Sequence, residues 1–521
     1  MKTKLNIRIG LLVLSMAAQV QAQKDQRLNP PQRVNILIIM TDHWFSDAMS
    51  CVMGDEFLKT PAIDSLAANG MIFSRAYCAN PICTPSRTST FTGRYPHETG
   101  VQFNSTSGVD VERFPIMGKV FKDAGYDTGY SGKWHIRFST SPDNPRLSPK
   151  DVDIHGFDFL FQERVNAPDS PRKGDFGRVW PGMQFLKQKR DKPFFLVVSC
   201  MNPHNICEWA RGQKLPDGPI GDPPPLDELP PLPANHLPPD GETEVMKYMR
   251  SSYQRTSTFP VRNFDDKKWR EYIWAYYRLI EKVDGEIGKL LAVLRETGQE
   301  ENTLVLFTSD HGDCAAAHKW NQKTVFYDES TRVPFILSWK GRTPKGTTDL
   351  LAHTGIDPFV TLCDFAGITP PDGLLGKSLK APALGRKPDW TRNFIVVQNH
   401  LGQGRSIGGK TKEEKRANKL SPNGRMVRSD RYKYCVYSDD VEERELVDLE
   451  SLSGERRELE RQRMLLRTVR QESLIDMEKD PGETKNLAKH PDYAEVLKRH
   501  RGYLEAFCRD CGDGFHAPEA K

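Results

Sequence analysis

A chain of 521 residues is too long for one small domain and points to a large domain with a smaller companion. Its 37% hydrophobic and 9% aromatic residues are enough for a sizeable core, and 27% charged residues are ordinary for a soluble protein. A net charge of +5, from 74 basic and 69 acidic side chains, offers nothing to a nucleic acid and leans slightly toward anionic ligands.

The chain opens with Lys2, Lys4 and Arg8, then the apolar stretch IGLLVLSMAAQV and a small-residue cut after Ala22. This predicts a signal peptide over 1–22. The apolar stretch is too short to span a bilayer, and no cysteine stands at the cut to carry a lipid anchor. The mature protein is therefore expected outside the cytoplasm, periplasmic or secreted, and free of the membrane. Apolar, β-branched runs predict buried strands at Val34–Met40, Pro193–Ser199, Asn302–Ser309 and Val333–Trp339. Ile273, Tyr277, Ile280, Val283, Ile287, Leu290 and Leu294 recur at helical spacing and predict a long amphipathic helix over Trp269–Glu296. Strands alternating with helices predict an α/β sandwich with a mostly parallel sheet.

Pro216–Asp240 is too rich in proline for helix or strand. It reads as an extended surface connector or as a rim over a cleft. The large domain is expected over 23–385. A smaller α+β subdomain is expected over 386–521, with a hairpin at Gly424–Ser438 and a closing helix at Pro491–Phe507. Glu445–Leu459 echoes Ser473–Leu487 in register, and the segment near 445–472 reads as an inserted, charged, solvated helix. Ten cysteines show no dense disulfide spacing, and the lone pair Cys508–Cys511 is too weak a signal for zinc.

The chemistry collects directly after strands. NILIIM runs into Thr-Asp-His, LVLFT into Ser-Asp-His-Gly-Asp, FFLVVSC into Met-Asn-Pro-His, and YDTGYS into Gly-Lys-Trp-His. Ligands of open α/β sheets bind at these strand ends. Asp42, His43, Asp310 and His311 would make a site dominated by oxygen, suited to Ca²⁺ or Mg²⁺. One further cysteine, Cys83, sits in the wet, cationic loop CTPSR.

CTPSR, with the following TSTFTGRYPHETG, resembles the signature of the type I sulfatases, an alkaline-phosphatase-like family. NILIIMTDHWFSDAMSC, GYDTGYSGKWH, MNPHN, NTLVLFTSDHGD with HKWNQKTVFYDESTRVPFI, and LIDMEKDPGETKNLA resemble that family's other segments. The resemblance implies the α/β/α sandwich with a C-terminal subdomain. It implies that a maturation enzyme oxidises Cys83 to formylglycine, which hydrates to a gem-diol. It implies Asp42, Asp310, His311 and the modified Cys83 as metal ligands. His43 stands where the family often has Asp, sometimes Gln or Asn, so its ligation is open. Arg87 and Lys133 would hold the hydrated aldehyde, with His135 hydrogen-bonded to it. His204 and Lys323 would contact the ester sulfate; Lys319 competes, but Lys323 fits the spacing to Tyr327.

The implied chemistry is cleavage of a sulfate monoester on a sulfated saccharide. The metal would lower the pKa of a gem-diol hydroxyl. Lys133, Arg87 and Lys323 would spread positive charge around the sulfuryl oxygens. His204 would protonate the leaving oxygen, and His135 would deprotonate the second hydroxyl to release sulfate. Two other readings remain: a phosphonate or phosphate ester hydrolase of the same fold, and an uncatalytic glycan-binding protein with Cys83 unmodified. Substrate preference is expected in Pro216–Asp240, in the stretch from about Phe138 to Pro181, and in the C-terminal subdomain.

Overall fold

The computed structural model describes residues 33–104, 108–136, 138–139, 156–161, 174–401, 405–411, 414–415, 418–439 and 448–518. The signal peptide expected over 1–22 lies outside these residues. So do the start of the internal echo and most of the stretch between 138 and 173.

Fourteen strands follow in chain order: β1 (Asn35–Asp42), β2 (Gly70–Tyr77), β3 (Val109–Asp110), β4 (Asp127–Gly132), β5 (Phe138–Ser139), β6 (Phe159–Phe161), β7 (Phe194–Pro203), β8 (Thr303–Ser309), β9 (Phe335–Ser338), β10 (Gly346–His353), β11 (Phe394–His400), β12 (Pro422–Ser429), β13 (Tyr432–Asp439) and β14 (Gln471–Asp476). Eight form one sheet in the order β10-β2-β9-β8-β1-β7-β4-β6. β1 pairs in parallel with β7 and β8, and β7 in parallel with β4. Only β9 runs against its neighbours, β2 and β8.

Burial on both faces explains the apolar runs. Every residue of β1 and β8 is buried. Leu37 and Ile39 pack into one layer of core, and Ile36, Ile38 and Met40 into the other. The long helix, Asp266–Glu296, starts where the Asp265 carboxylate accepts from the Lys268 N–H at 2.8 Å. It lays sixteen buried residues on the first layer, among them all seven apolar residues of the predicted period.

A second, antiparallel sheet has the order β11-β12-β13-β14. The predicted hairpin is β12–β13, and the chain closes on the helix Ala494–Cys511. The helix Gly454–Thr468 departs from the expected solvated insertion. It buries Leu459 and Leu466, along with parts of Glu460, Gln462 and Arg463. Two leucines and the stems of long polar side chains suffice for a buried stripe that a charge count hides.

Pro216–Asp240 forms one short 3-10 turn, Leu226–Glu228, and is otherwise without helix or strand, broken by tight turns near 216 and 234. Arg270 of the long helix holds it by donating to Pro230 O at 2.8 Å. Its Asn235 and His236 are buried, and Asn235 O accepts from His318 N at 2.8 Å. The segment thus straps the long helix to the turn that precedes Lys323. All ten cysteines are free thiols. No helix among the described residues is long and apolar enough to cross a membrane.

Candidate active site

β1, β4, β7 and β8 are parallel neighbours, so their carboxyl ends share one sheet edge. There the apolar runs stop and deliver Asp42 and His43, Lys133 and His135, His204, and Asp310 and His311. Two glycines in these segments are sterically required. A Cβ on Gly132, at φ 103°, would lie 1.9 Å from Ser199 O, and one on Gly312 would lie 1.9 Å from Glu329 O.

Cys83 is the first residue of the helix Cys83–Thr92, which is buried throughout and ends on Gly93 in the left-handed conformation. Its Sγ lies 3.3 Å from His311 Nε2 and 3.8 Å from Asp42 Oδ1. Lys323 Nζ reaches it at 2.6 Å and Lys133 Nζ at 3.8 Å. Lys323 Nζ also lies 3.0 Å from His311 Nε2. Lys319, by contrast, is exposed. One helical turn past Cys83, Arg87 spans both carboxylates. Its Nε donates to Asp310 Oδ2 at 2.7 Å, and its Nη2 to Asp42 Oδ2 at 3.1 Å. Its Nη1 donates to Lys133 O and Ser199 Oγ. Lys133 Nζ pairs with Asp42 as well.

The electrostatics follow from burial and crowding. Burial alone would raise Asp42, but Lys133, His204, Arg87 and Lys323 hold it well below the usual carboxylate range. Asp310 is pushed up to about 6 by burial and by the charge of Asp42. Burial and Asp42 oppose a Cys83 thiolate, yet Lys133, Lys323 and His311 outweigh them and bring the thiol well below its ordinary value. Burial, with Lys133, lowers His204 well below the ordinary imidazole value, and burial lowers His135.

Donor atoms of Asp42, Cys83, Asp310 and His311 all lie within 4.8 Å of one another. Two buried carboxylates that repel each other, completed by one imidazole, suit a hard divalent cation. His43 faces elsewhere as well. Its ring stacks on His204 with centroids 4.6 Å apart and 15° between planes, and its Nδ1 lies 3.8 Å from Cys207 Sγ and 4.0 Å from Asp313 Oδ2. Ring lone pairs lie in the ring planes, so two nearly parallel imidazoles do not converge on one ion. His43 Nε2 is buried with no hydrogen-bond partner among the described residues, which leaves one ligating atom at hand.

All ten residues singled out from the sequence are thus gathered around this edge, Cys83 at the centre and His43 and His204 to one side. Sequence reasoning missed Ser199, Cys207, Asp313 and Tyr272. Tyr272 OH donates to Asp313, which burial pushes up to about 6. Asp313 was within reach, since it closes the Ser-Asp-His-Gly-Asp run; Ser199, Cys207 and Tyr272 fall in no pattern that marks a site.

The family model described as Sulfatase matches residues 34–368. The chain is 29% identical over 526 residues to the Delta 4,5-hexuronate-2-O-sulfatase of Bacteroides thetaiotaomicron, covering 98% of this chain and 94% of that one. It is 30% identical over 416 residues to an ulvan-active sulfatase of Formosa agariphila, covering 75% and 72%. Among solved structures, a 2-O glycosaminoglycan sulfatase superposes with a TM-score of 0.73 at 28% identity, covering 94% of this chain and 95% of that one.

Proposed function

The chain belongs to the sulfatase family and is a sulfuric ester hydrolase; from that premise we propose an exported, formylglycine- and calcium-dependent enzyme that removes sulfate from sulfated saccharides. The observation that carries this reading is Lys323. Its ammonium is buried, and among the described residues it makes no ion pair with a carboxylate. Its close anionic partner there is the Cys83 sulfur at 2.6 Å, which conversion to formylglycine would remove, and a buried charge without a counter-charge is costly. A substrate sulfate placed against residue 83 would supply that charge.

A sulfate monoester is an anion and resists an anionic nucleophile. Formylglycine made from Cys83, once hydrated, supplies an oxygen nucleophile where the sulfur now stands and a second hydroxyl for release of the product. Asp42, Asp310, His311 and residue 83, with His43 Nε2 as a further donor, would hold a divalent cation, whose charge would acidify such an oxygen and polarise the sulfate. The protein's own groups do the rest. Lys133 and Lys323 flank residue 83 and offset charge on the sulfuryl oxygens. Arg87 fixes Asp42 and Asp310 relative to each other and adds a third positive charge. His204 carries a proton to the departing alkoxide. His135, whose Nδ1 is buried without a partner among the described residues, takes the proton of the second hydroxyl. Burial keeps His135 neutral, as a base must be.

The relatives' names direct the choice of substrate. A saccharide ending in an unsaturated hexuronate with a 2-O-sulfate comes first, since the relative aligned over 98% of this chain is named for that group. Matured protein is offered this substrate, other sulfated mono- and disaccharides, aryl sulfate and aryl phosphonate, and released sulfate is measured. Turnover on sulfate esters, with formylglycine in the tryptic peptide spanning residue 83, supports the reading. An unmodified cysteine in active protein, or phosphonate turnover far exceeding sulfate turnover, would sink it.

A further inference from the structure

The turn that delivers Lys323 has an unusual backbone. Ala315, Ala316, His318, Lys319, Gln322 and Thr324 all have positive φ, between 44° and 80°. Side chains with a Cβ avoid this region, β-branched ones most of all. Gln322 (63°) and Thr324 (80°) flank Lys323 directly. Such a conformation persists only where the surroundings over-determine it.

The surroundings are specific. Gln322 O accepts from Cys314 N at 2.7 Å, which closes the turn on itself. Thr324 N donates to Pro81 O at 3.2 Å, two residues before Cys83. Thr324 O accepts from the side-chain amide of Asn399 at 2.6 Å. Asn399 is fully buried near the end of β11, the edge strand of the second sheet. Its neighbour Gln398 donates its backbone N–H to Ala79 O at 2.9 Å. Two consecutive residues of β11 therefore grip both arms of the site: the loop that leads to Cys83 and the turn that carries Lys323.

We infer that Asn399 is a positioning residue for sulfate-ester cleavage: its amide holds the Thr324 carbonyl and so fixes the Lys323 ammonium against residue 83. The second sheet is then part of the machinery as well as a neighbour of it. This rests on the reading of Lys323 as a sulfate contact. Because Lys323 addresses the sulfate and not the sugar, the inference makes a prediction that a sugar-binding role for Asn399 does not.

The test uses the full matured chain, with Asn399→Ala, with Asn399→Asp as a same-sized variant lacking the donor, and with Val396→Ala as a control. Val396 is buried in the same strand and packs in a cluster that holds no residue of either arm. Both Asn399 variants should lose kcat/KM by about 10²-fold, the cost of a misplaced group, and by the same factor on aryl sulfate and on a sulfated disaccharide. Val396→Ala should lower Tm while keeping kcat/KM within about twofold, since it displaces no reacting group. Hydrogen exchange over 314–324 reads the clamp without turnover. It should quicken in Asn399→Ala and not in Val396→Ala, even if the protein cleaves no sulfate ester, so a failure of the sulfatase reading is told apart. Unchanged exchange, wild-type turnover, or a loss confined to the saccharide would each overturn the inference.

Discussion

Two of the clusters of buried charge among the described residues are built for opposite ends. Where the central sheet meets the second one, Lys433 pairs with Asp328 at 2.6 Å and donates to Phe326 O at 2.8 Å and to Glu483. Asp328 also receives Arg332 at 3.0 Å and Tyr77 OH at 3.0 Å, and Arg428 donates to that same hydroxyl. Every cation there has an oxygen. At the strand edge, by contrast, the Lys323 ammonium finds only a sulfur and an imidazole nitrogen, and His43 Nε2 and His135 Nδ1 find nothing among the described residues. Buried charge alone does not mark a catalytic centre. What distinguishes one is polar capacity left unspent in a place that excludes water.

The comparison can be broken or sharpened by experiment. The largest effect is expected from Cys83→Ala, which should cost at least about 10⁴-fold in sulfate release while leaving Tm and circular dichroism near wild type; retained turnover would remove residue 83 from the mechanism. Removing the metal comes next. Chelation should depress turnover by more than about 10²-fold and lower Tm, because the repulsion between Asp42 and Asp310 is no longer relieved, and added Ca²⁺ should restore both.

Lysine substitutions then separate the two clusters. Lys323→Ala should lose about 10²–10³-fold in kcat/KM with little loss of stability. Lys433→Ala strands Asp328 and Glu483 and should cost about 3–5 kcal/mol of stability, measured by denaturant, with near-normal kcat in the fraction that stays folded. Equal effects of the two on stability would erase the distinction.

The smallest effect is one of pH. His204, proposed above as the acid, has its pKa depressed by burial and by Lys133, so its protonated fraction is already falling below pH 6.5. With an alkyl or sugar leaving group, kcat/KM should therefore fall by about tenfold per unit as pH rises above that midpoint. With an aryl sulfate, whose leaving group needs no proton, the limb should flatten. A rising limb for the sugar ester would reassign the acid.

The sequence alone carried the buried strands, because residues packed on both faces must be apolar throughout. It carried the long helix, because a single buried stripe forces a 3.6-residue period. It carried the residues at the strand ends, because a parallel sheet puts those ends on one edge and polar groups there interrupt the apolar runs visibly. Only the tertiary structure decided the rest. The bridge of Arg87 between two carboxylates more than 200 residues apart, the seating of Lys323 against Cys83, and the grip of Asn399 on Thr324 depend on which segments meet in space. So does the buried face of the helix Gly454–Thr468, whose charged residues conceal two leucines that matter only once β13 lies beneath them. Local pattern fixes what a segment can bury; the distances between segments, and the strain each can be made to hold, are set by the packing of the whole.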